Sequence, residues 1–173
     1  MKKTQKIIVF LGAFILFNLF FISPVFTQTE IEIQPTELEI RAPQILPNSG
    51  AYPIKEFFRK LRLFFIRSPI KKSEIRLKFA NEKLMEIKEL VKVEENKELV
   101  EKTLSRYQDE LEKLKSEMEK LTDKEKEKFL EKYVNHAIKQ QIVLENIASQ
   151  VKGEVYEKIL ANRQRHLERF KEV

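Results

Sequence analysis

The 173-residue chain has no cysteine and no tryptophan, and it holds only three glycines and two histidines. Without cysteine there is no disulfide, no thiolate metal site, no cysteine nucleophile and no lipid-modified cysteine anchor. Three glycines do not make a glycine-rich phosphate loop. The two histidines, His136 and His166, follow Tyr133 and Arg163 at three residues' distance, where a helical di-metal site would need glutamate. Zinc would require further nitrogen or sulfur donors. Both histidines therefore read as ordinary surface or rim side chains. Ser116 and Ser149 lie on helix faces among charges, many of the glutamates are explained by i,i+4 pairing with lysine on solvated faces, and no acid/base pair stands out among the 27 carboxylates. No catalytic residue, metal ligand or cofactor is nominated, and the chain reads as non-enzymatic.

What is present is charge and helix-forming sequence. Charged residues make up 35 % of the chain, which favours long helices over sheet. The net charge of +6 is unevenly spread. Residues 1–27 carry +3, residues 28–52 carry −3, residues 53–83 carry +7 and the remainder −1.

The opening MKKTQKIIVFLGAFILFNLFFISPVF has the layout of an export signal. Lys2, Lys3 and Lys6 precede an apolar run from Ile7 to Ile22, which Ser23-Pro24 ends. Residues 1–27 are expected as a signal peptide or an N-terminal membrane anchor. Val25-Phe26-Thr27 is the best small-residue cleavage site. The run is shorter than the roughly 20 residues of a relaxed span, and a buried helix of a cytosolic domain is the bland alternative. The positive flank stays cytoplasmic and the rest crosses. The helical domain is thus expected outside the cytoplasm: periplasmic, secreted or membrane-anchored.

Residues 28–52 read as an extended, proline-containing linker. TEIEIQPTELEI alternates with a period of two, but Pro35 interrupts it and no second strand pattern offers a pair. Five helices follow, at about 53–66, 69–93, 96–121, 123–151 and 154–172. The first puts Ile54, Phe57, Phe58, Leu61, Phe64 and Phe65 on one face and Lys55, Arg59, Lys60, Arg62 and Arg67 on the other. Ser68-Pro69 starts the second, whose apolar row is Leu77, Ala80, Leu84, Ile87 and Val91, widened by Ile75 and Phe79. The third carries an unbroken heptad seam of Leu104, Tyr107, Leu111, Leu114, Met118 and Leu121. Thr122 to Glu125 is a capping box. The fourth has Leu130, Val134, Ala137, Gln141, Leu144, Ala148 and Val151, and the fifth Tyr156, Leu160, Arg163, Leu167 and Phe170. Gln141, with Gln140, Asn135 and His136 near it, suggests a polar core layer that fixes register or contacts a ligand. The expected fold is an all-α helical bundle built on a long antiparallel, coiled-coil-like hairpin of the third and fourth helices, preceded by the export signal and linker.

The basic block from Arg59 to Lys72 admits three readings. As a core helix, its Phe face packs on the hairpin and its cations reach outward. As an interfacial helix, it lies on anionic lipid through Phe57, Phe58, Arg59, Lys60, Arg62, Phe64, Arg67, Lys71 and Lys72. As a nucleic-acid patch, its aromatic and cationic faces are opposed, which is wrong for stacking and phosphate contact together; no nucleic-acid partner is expected.

The order Leu46-Pro47, Tyr52-Pro53-Ile54-Lys55, a Phe/Leu/Arg helix, Ile70-Lys71-Lys72-Ser73-Glu74 and Ala80-Asn81-Glu82-Lys83-Leu84-Met85-Glu86 resembles the bacterial domain-of-unknown-function family 5667. Family members share an export signal, a Leu-Pro…Tyr-Pro-Leu-Lys entry and a helix ending in Ala-x-x-Arg-Leu-x-Glu. The likeness is close over residues 46–90. Lys83 stands where arginine is usual, and Ser49-Gly50-Ala51 where Ser-Pro-Leu is common. The resemblance implies an exported helical domain and structural roles for Leu46, Pro47, Tyr52, Pro53, Lys55, Ala80, Leu84 and Glu86; it implies no activity. Tyr52 is expected to pack at the helix start and set its entry angle.

The functional expectation is a binding or scaffolding role at the cell envelope. The partners expected are the membrane, through the N-terminal segment and the 53–66 helix, and a second copy or another envelope protein. A periplasmic chaperone or stress sensor is the rival. Such families carry Leu-Thr-x-x-Gln repeats, of which only Leu121-Thr122 is found here, followed by Glu125.

Overall fold

Helix punctuation sets the element order. The computed structural model describes residues 31–93 and 96–171, without the side chains of His166 and residues 169–171. The expected export signal, and the roles read for His166 and Phe170, lie outside what is described. Helices α1 (Tyr52–Phe64), α2 (Pro69–Lys92), α3 (Lys97–Met118), α4 (Asp123–Gln150) and α5 (Glu154–Lys171) follow a single 3₁₀ turn at Pro35–Leu38. Pro53 lies in the first turn of α1, and Pro69 opens α2 behind an extended Ser68. The Asn96 side chain accepts from the Glu98 amide at 2.9 Å to begin α3. Before α4 the capping box is closed on both sides: Thr122 Oγ accepts the Glu125 amide at 3.4 Å, and the Glu125 carboxylate accepts the Thr122 amide at 3.1 Å. The Thr122 amide, and after it the Thr122 hydroxyl donating at 2.8 Å, hold the Glu125 carboxyl below the usual range. Gly153, at φ 67°, makes the turn into α5.

The molecule is an all-α bundle with α2 as its central helix. Leu77, Ala80, Leu84 and Ile87 of α2 are wholly buried, and so are Met85 and Leu90 on its flank. The whole expected α3 seam, from Leu104 to Leu121, is buried against them. The long antiparallel hairpin is therefore α2 with α3, one connection earlier than periodicity suggested; α4 and α5 close the other sides. A helix with neighbours on several sides buries a broad face, and that shifts the register of α4. Phe129, Tyr133, His136, Gln140, Val143 and Ile147 join Ala137, Leu144 and Ala148 inside, whereas Leu130, Val134, Gln141 and Val151 are half-buried. On α5 the inward row is Val155, Ile159 and Asn162, one position before the expected Tyr156, Leu160 and Arg163.

The segment expected to be a linker is part of the bundle from residue 31 onward. Ile33, Leu38 and Ile40 are buried in the main core. Pro35 converts the period-two pattern into a 3₁₀ turn, and a left-handed Glu39 at φ 53° then returns Ile40 to the core. Backbone groups of this strap are taken up by side chains of the bundle. Asn146 donates to the Ile31 carbonyl at 2.9 Å and Lys139 to the Glu37 carbonyl at 2.9 Å, and Lys88 pairs with Glu32 at 2.9 Å. Among the described residues no helix is long and apolar enough to cross a membrane.

Candidate functional site

Helix α1 is turned the opposite way from the core-helix reading. Its buried side chains are Tyr52, Arg59 and Leu63. Ile54, Phe57, Phe58, Phe64 and Phe65 are between 60 % and 81 % exposed. Their rings meet edge-on in adjacent pairs, Phe57 with Phe58 at 5.8 Å and Phe64 with Phe65 at 5.5 Å. Two opposed faces make α1 amphipathic, and amphipathicity alone does not say which face goes in. The choice is made by α2, whose surface beneath the first half of α1 carries Glu82, Lys83 and Glu86, while Ile75 and Phe79 further along pack with Leu63, and with Ile66 after the helix.

Glu86 is fully buried and accepts from four donors, the closer three being the Tyr52 hydroxyl at 2.6 Å, Lys55 Nζ at 2.7 Å and Lys83 Nζ at 3.3 Å. Arg59, 8 % exposed, pairs with Glu56 at 2.7 Å, reaches Glu86 at 3.5 Å and holds Glu82 as well. Lys83 joins Glu56 at 2.6 Å and donates to the Tyr52 hydroxyl. Lys55 also caps the Ile45 carbonyl at 3.0 Å, which ties the approach to α1 into the same cluster. Three cations thus face three carboxylates around one neutral phenol. The Arg59 guanidinium stacks on the Phe79 ring at 4.9 Å and that of Arg106, from α3, on the Tyr52 ring at 5.2 Å.

The electrostatics follow from burial and pairing. Burial, and then the Glu86 charge, push the Tyr52 hydroxyl far above its usual range, so it stays a donor. Burial works against Glu56 but is outweighed by its bond to Lys83 and the charges of Lys83 and Arg59, so its carboxyl lies low. Burial likewise opposes the Arg59 charge, yet Glu82, Glu86 and Glu56 raise its pKa. Lys83 is lowered, chiefly by burial and also by Arg59, against the pull of Glu86 and Glu56.

The chemistry of the α2 surface explains the orientation. Phenylalanine gains its burial energy only against apolar neighbours, and a buried carboxylate stripped of its partners costs about 3–5 kcal/mol. Rolling α1 over would abandon Glu86 and Lys83 of α2 together, and would set Phe rings against charges.

A second polar layer lies deeper. Asn81 donates to the Leu38 carbonyl at 3.0 Å and to His136 Nδ1 at 2.9 Å. Gln140 donates to Asn81 Oδ1 at 2.6 Å and accepts from the Tyr107 hydroxyl at 3.1 Å. His136 is buried, not a rim residue, and its Nε2 faces Glu39 at 3.7 Å. Burial lowers its pKa; Glu39 opposes this, while Lys132 and Lys139 reinforce it. The core glutamine is Gln140, one position before Gln141. The layer locks α2, α3 and α4 to the strap in one register, and its donors and acceptors are used up on each other.

Of the residues expected on a lipid or partner surface, Phe57, Phe58, Lys60, Arg62, Phe64, Arg67 and Lys71 are exposed and Lys72 is half-buried, but Arg59 is interior. Of the motif residues, Tyr52, Ala80, Leu84 and Glu86 are buried and Leu46, Pro47 and Lys55 half-buried, with Pro53 exposed at the helix start. The buried ion cluster was missed because each charge reads as surface when taken alone. The available signal was the matching four-residue spacing of Lys55/Arg59 and Glu82/Glu86. No group of three or more metal-ligating side chains occurs among the described residues.

The family model for the domain of unknown function DUF5667 matches residues 44–173. No curated protein and no solved structure matches the chain.

Proposed function

The chain belongs to the DUF5667 family, and from that premise we propose that it is an exported, non-enzymatic binding module that works at the membrane surface. Its N-terminal signal or anchor brings the helical domain to the outer side of the cytoplasmic membrane. Helix α1 then lies in the headgroup region of an anionic bilayer. The observation that carries this reading is the outward Phe face of α1, held outward by the ion cluster on its other side. Lys60, Arg62, Arg67 and Lys71 are exposed near the rings, the arrangement an interfacial helix uses on acidic lipid. An apolar face of this kind on a soluble surface marks a contact site.

The absence of native cysteine makes the test clean. A single Phe65→Cys substitution carries an environment-sensitive fluorophore, and Ile138→Cys on α4, also exposed, is the control. With vesicles containing phosphatidylglycerol the α1 label shifts to an apolar environment and becomes accessible to lipid-borne quenchers, while the control label stays aqueous. Replacing Lys60, Arg62 and Arg67 by glutamine weakens the shift. An α1 label that remains aqueous on such vesicles sinks the membrane reading. A shift produced instead by unfolded client protein, without lipid, replaces it with the chaperone reading.

A further inference from the structure

On the inner side of α1, between α1, α2 and α3, lies an open cavity of about 460 Å³. Six of its eleven lining side chains are cationic and three are acidic. Two of the acids are already engaged. Glu56 is held by Arg59 and Lys83, and Glu110 by Arg76 at 2.8 Å and Lys113 at 3.5 Å. Arg106 and Lys60 have no carboxylate partner among the described residues. Arg106 is half-buried and rests on the Tyr52 ring, and its Nη1 is shielded from solvent with nothing to donate to. Arg76 Nε is in the same condition. Those two atoms have almost no accessible surface, so what the cavity offers a ligand is the rest of the half-buried Arg106 side chain, a cation without a carboxylate partner. Leu63 and Phe79 form the apolar part of the wall.

We propose that this cavity binds a phosphate ester, with Arg106 as its principal anchor, Arg76 and Lys60 beside it, and Leu63 and Phe79 against the neutral part of the ligand. Guanidinium groups favour phosphate because several oxygens accept from their planar forks at once. The volume is at the small end of the ligand-pocket range of about 300–1,000 Å³, enough for a headgroup-sized ester and too little for a whole lipid. The phosphate comes either from a small soluble ester or from the headgroup of a phospholipid. The site lies on the other side of α1 from the Phe face; Lys60 is common to both readings, and Arg106, which belongs to the cavity alone, separates them.

The test uses the full chain in dodecyl maltoside micelles, which carry no phosphate, titrated by calorimetry with glycerol 3-phosphate. The same chain in nanodiscs containing phosphatidylglycerol is assayed by protection of Arg106 from phenylglyoxal. Saturable binding of the soluble ester, weakened about tenfold in Arg106→Met for the loss of one charge-assisted bond, supports the proposal with a soluble ligand. Protection of Arg106 by phosphatidylglycerol alone supports it with a lipid ligand. Lys60→Gln, an exposed change that leaves the fold intact, weakens binding in the same direction should Arg106→Met unfold. Lys124→Gln, exposed on α4, leaves it unchanged. The proposal is overturned by neither ligand binding, by binding that survives both cavity variants, or by an equal loss in Lys124→Gln.

Discussion

Glu86→Gln removes one negative charge at the centre of the α1–α2 contact and changes little else. The glutamine fills the same space and still accepts one hydrogen bond. Glu86 has four donors within reach: Tyr52 at 2.6 Å, Lys55 at 2.7 Å, Lys83 at 3.3 Å and Arg59 at 3.5 Å. With the charge gone, three cations share Glu56 and Glu82, and the glutamine amide points two donors at positive groups. Loss of one partner from a buried ion pair costs about 3–5 kcal/mol. Helix α1 has little else to hold it, since Tyr52 and Leu63 are its buried apolar side chains. The damage therefore concentrates on α1. Native-state amide exchange is the assay that sees this. In Glu86→Gln the α1 amides lose about two to four orders of magnitude of protection by this reckoning, while amides of α2 and α3 in the main core keep theirs. Thermal unfolding falls by less than a change of this size in the main core would cause, because the α2–α5 core is untouched. Unchanged α1 protection would refute the reasoning, for it would mean that the cluster is ornamental and the helix is held by something else.

Three further outcomes follow from the geometry. The His136 pKa is lowered in the fold, so the unfolded chain takes up the extra proton; stability is complete above the ordinary pKa of about 6.5 and is lost as pH falls from there through the folded value. His136→Gln flattens that part of the stability–pH curve, read by urea midpoints at a series of pH values. Leu38→Ala removes a wholly buried side chain from the strap and costs about 2–5 kcal/mol, measured as a lowered denaturant midpoint with unchanged helix content. Gly153→Ala meets no atom within 4 Å but must hold φ 67°, so it costs about 1 kcal/mol from the backbone alone.

Periodicity worked where a helix has one partner of one character. Every residue of the α3 seam from Leu104 to Leu121 is interior, because a heptad row against an apolar neighbour has a single way to pack. It slipped by one position on α5, where Val155 and Ile159 lie beside an equally apolar Tyr156 and Leu160, and a row and its neighbour differ by only 100°. It failed on α1, because a moment gives two faces and no sign; the sign came from Glu82 and Glu86 on another helix, more than twenty residues away. The strap was misread for a similar reason. Ile33, Leu38 and Ile40 have no local partner, and the surface they dock on is supplied by α2 and α4, more than forty residues away. The site was legible as an inventory of Phe and cation, and illegible as a geometry.

The strap also determines how the domain bears load. Residue 31 is fastened to Asn146 across 115 positions of sequence and Glu32 to Lys88 across 56. A pull on residue 31 is thus delivered to the last turns of α2 and α4, not to the first turn of α1. The bundle resists with side-chain bonds and three buried apolar anchors. The frame then takes the tension while α1, hung on α2 by charge, carries none. Load applied at residue 31 does not have to pass through the seat of α1, and α1 can come and go without loosening the strap.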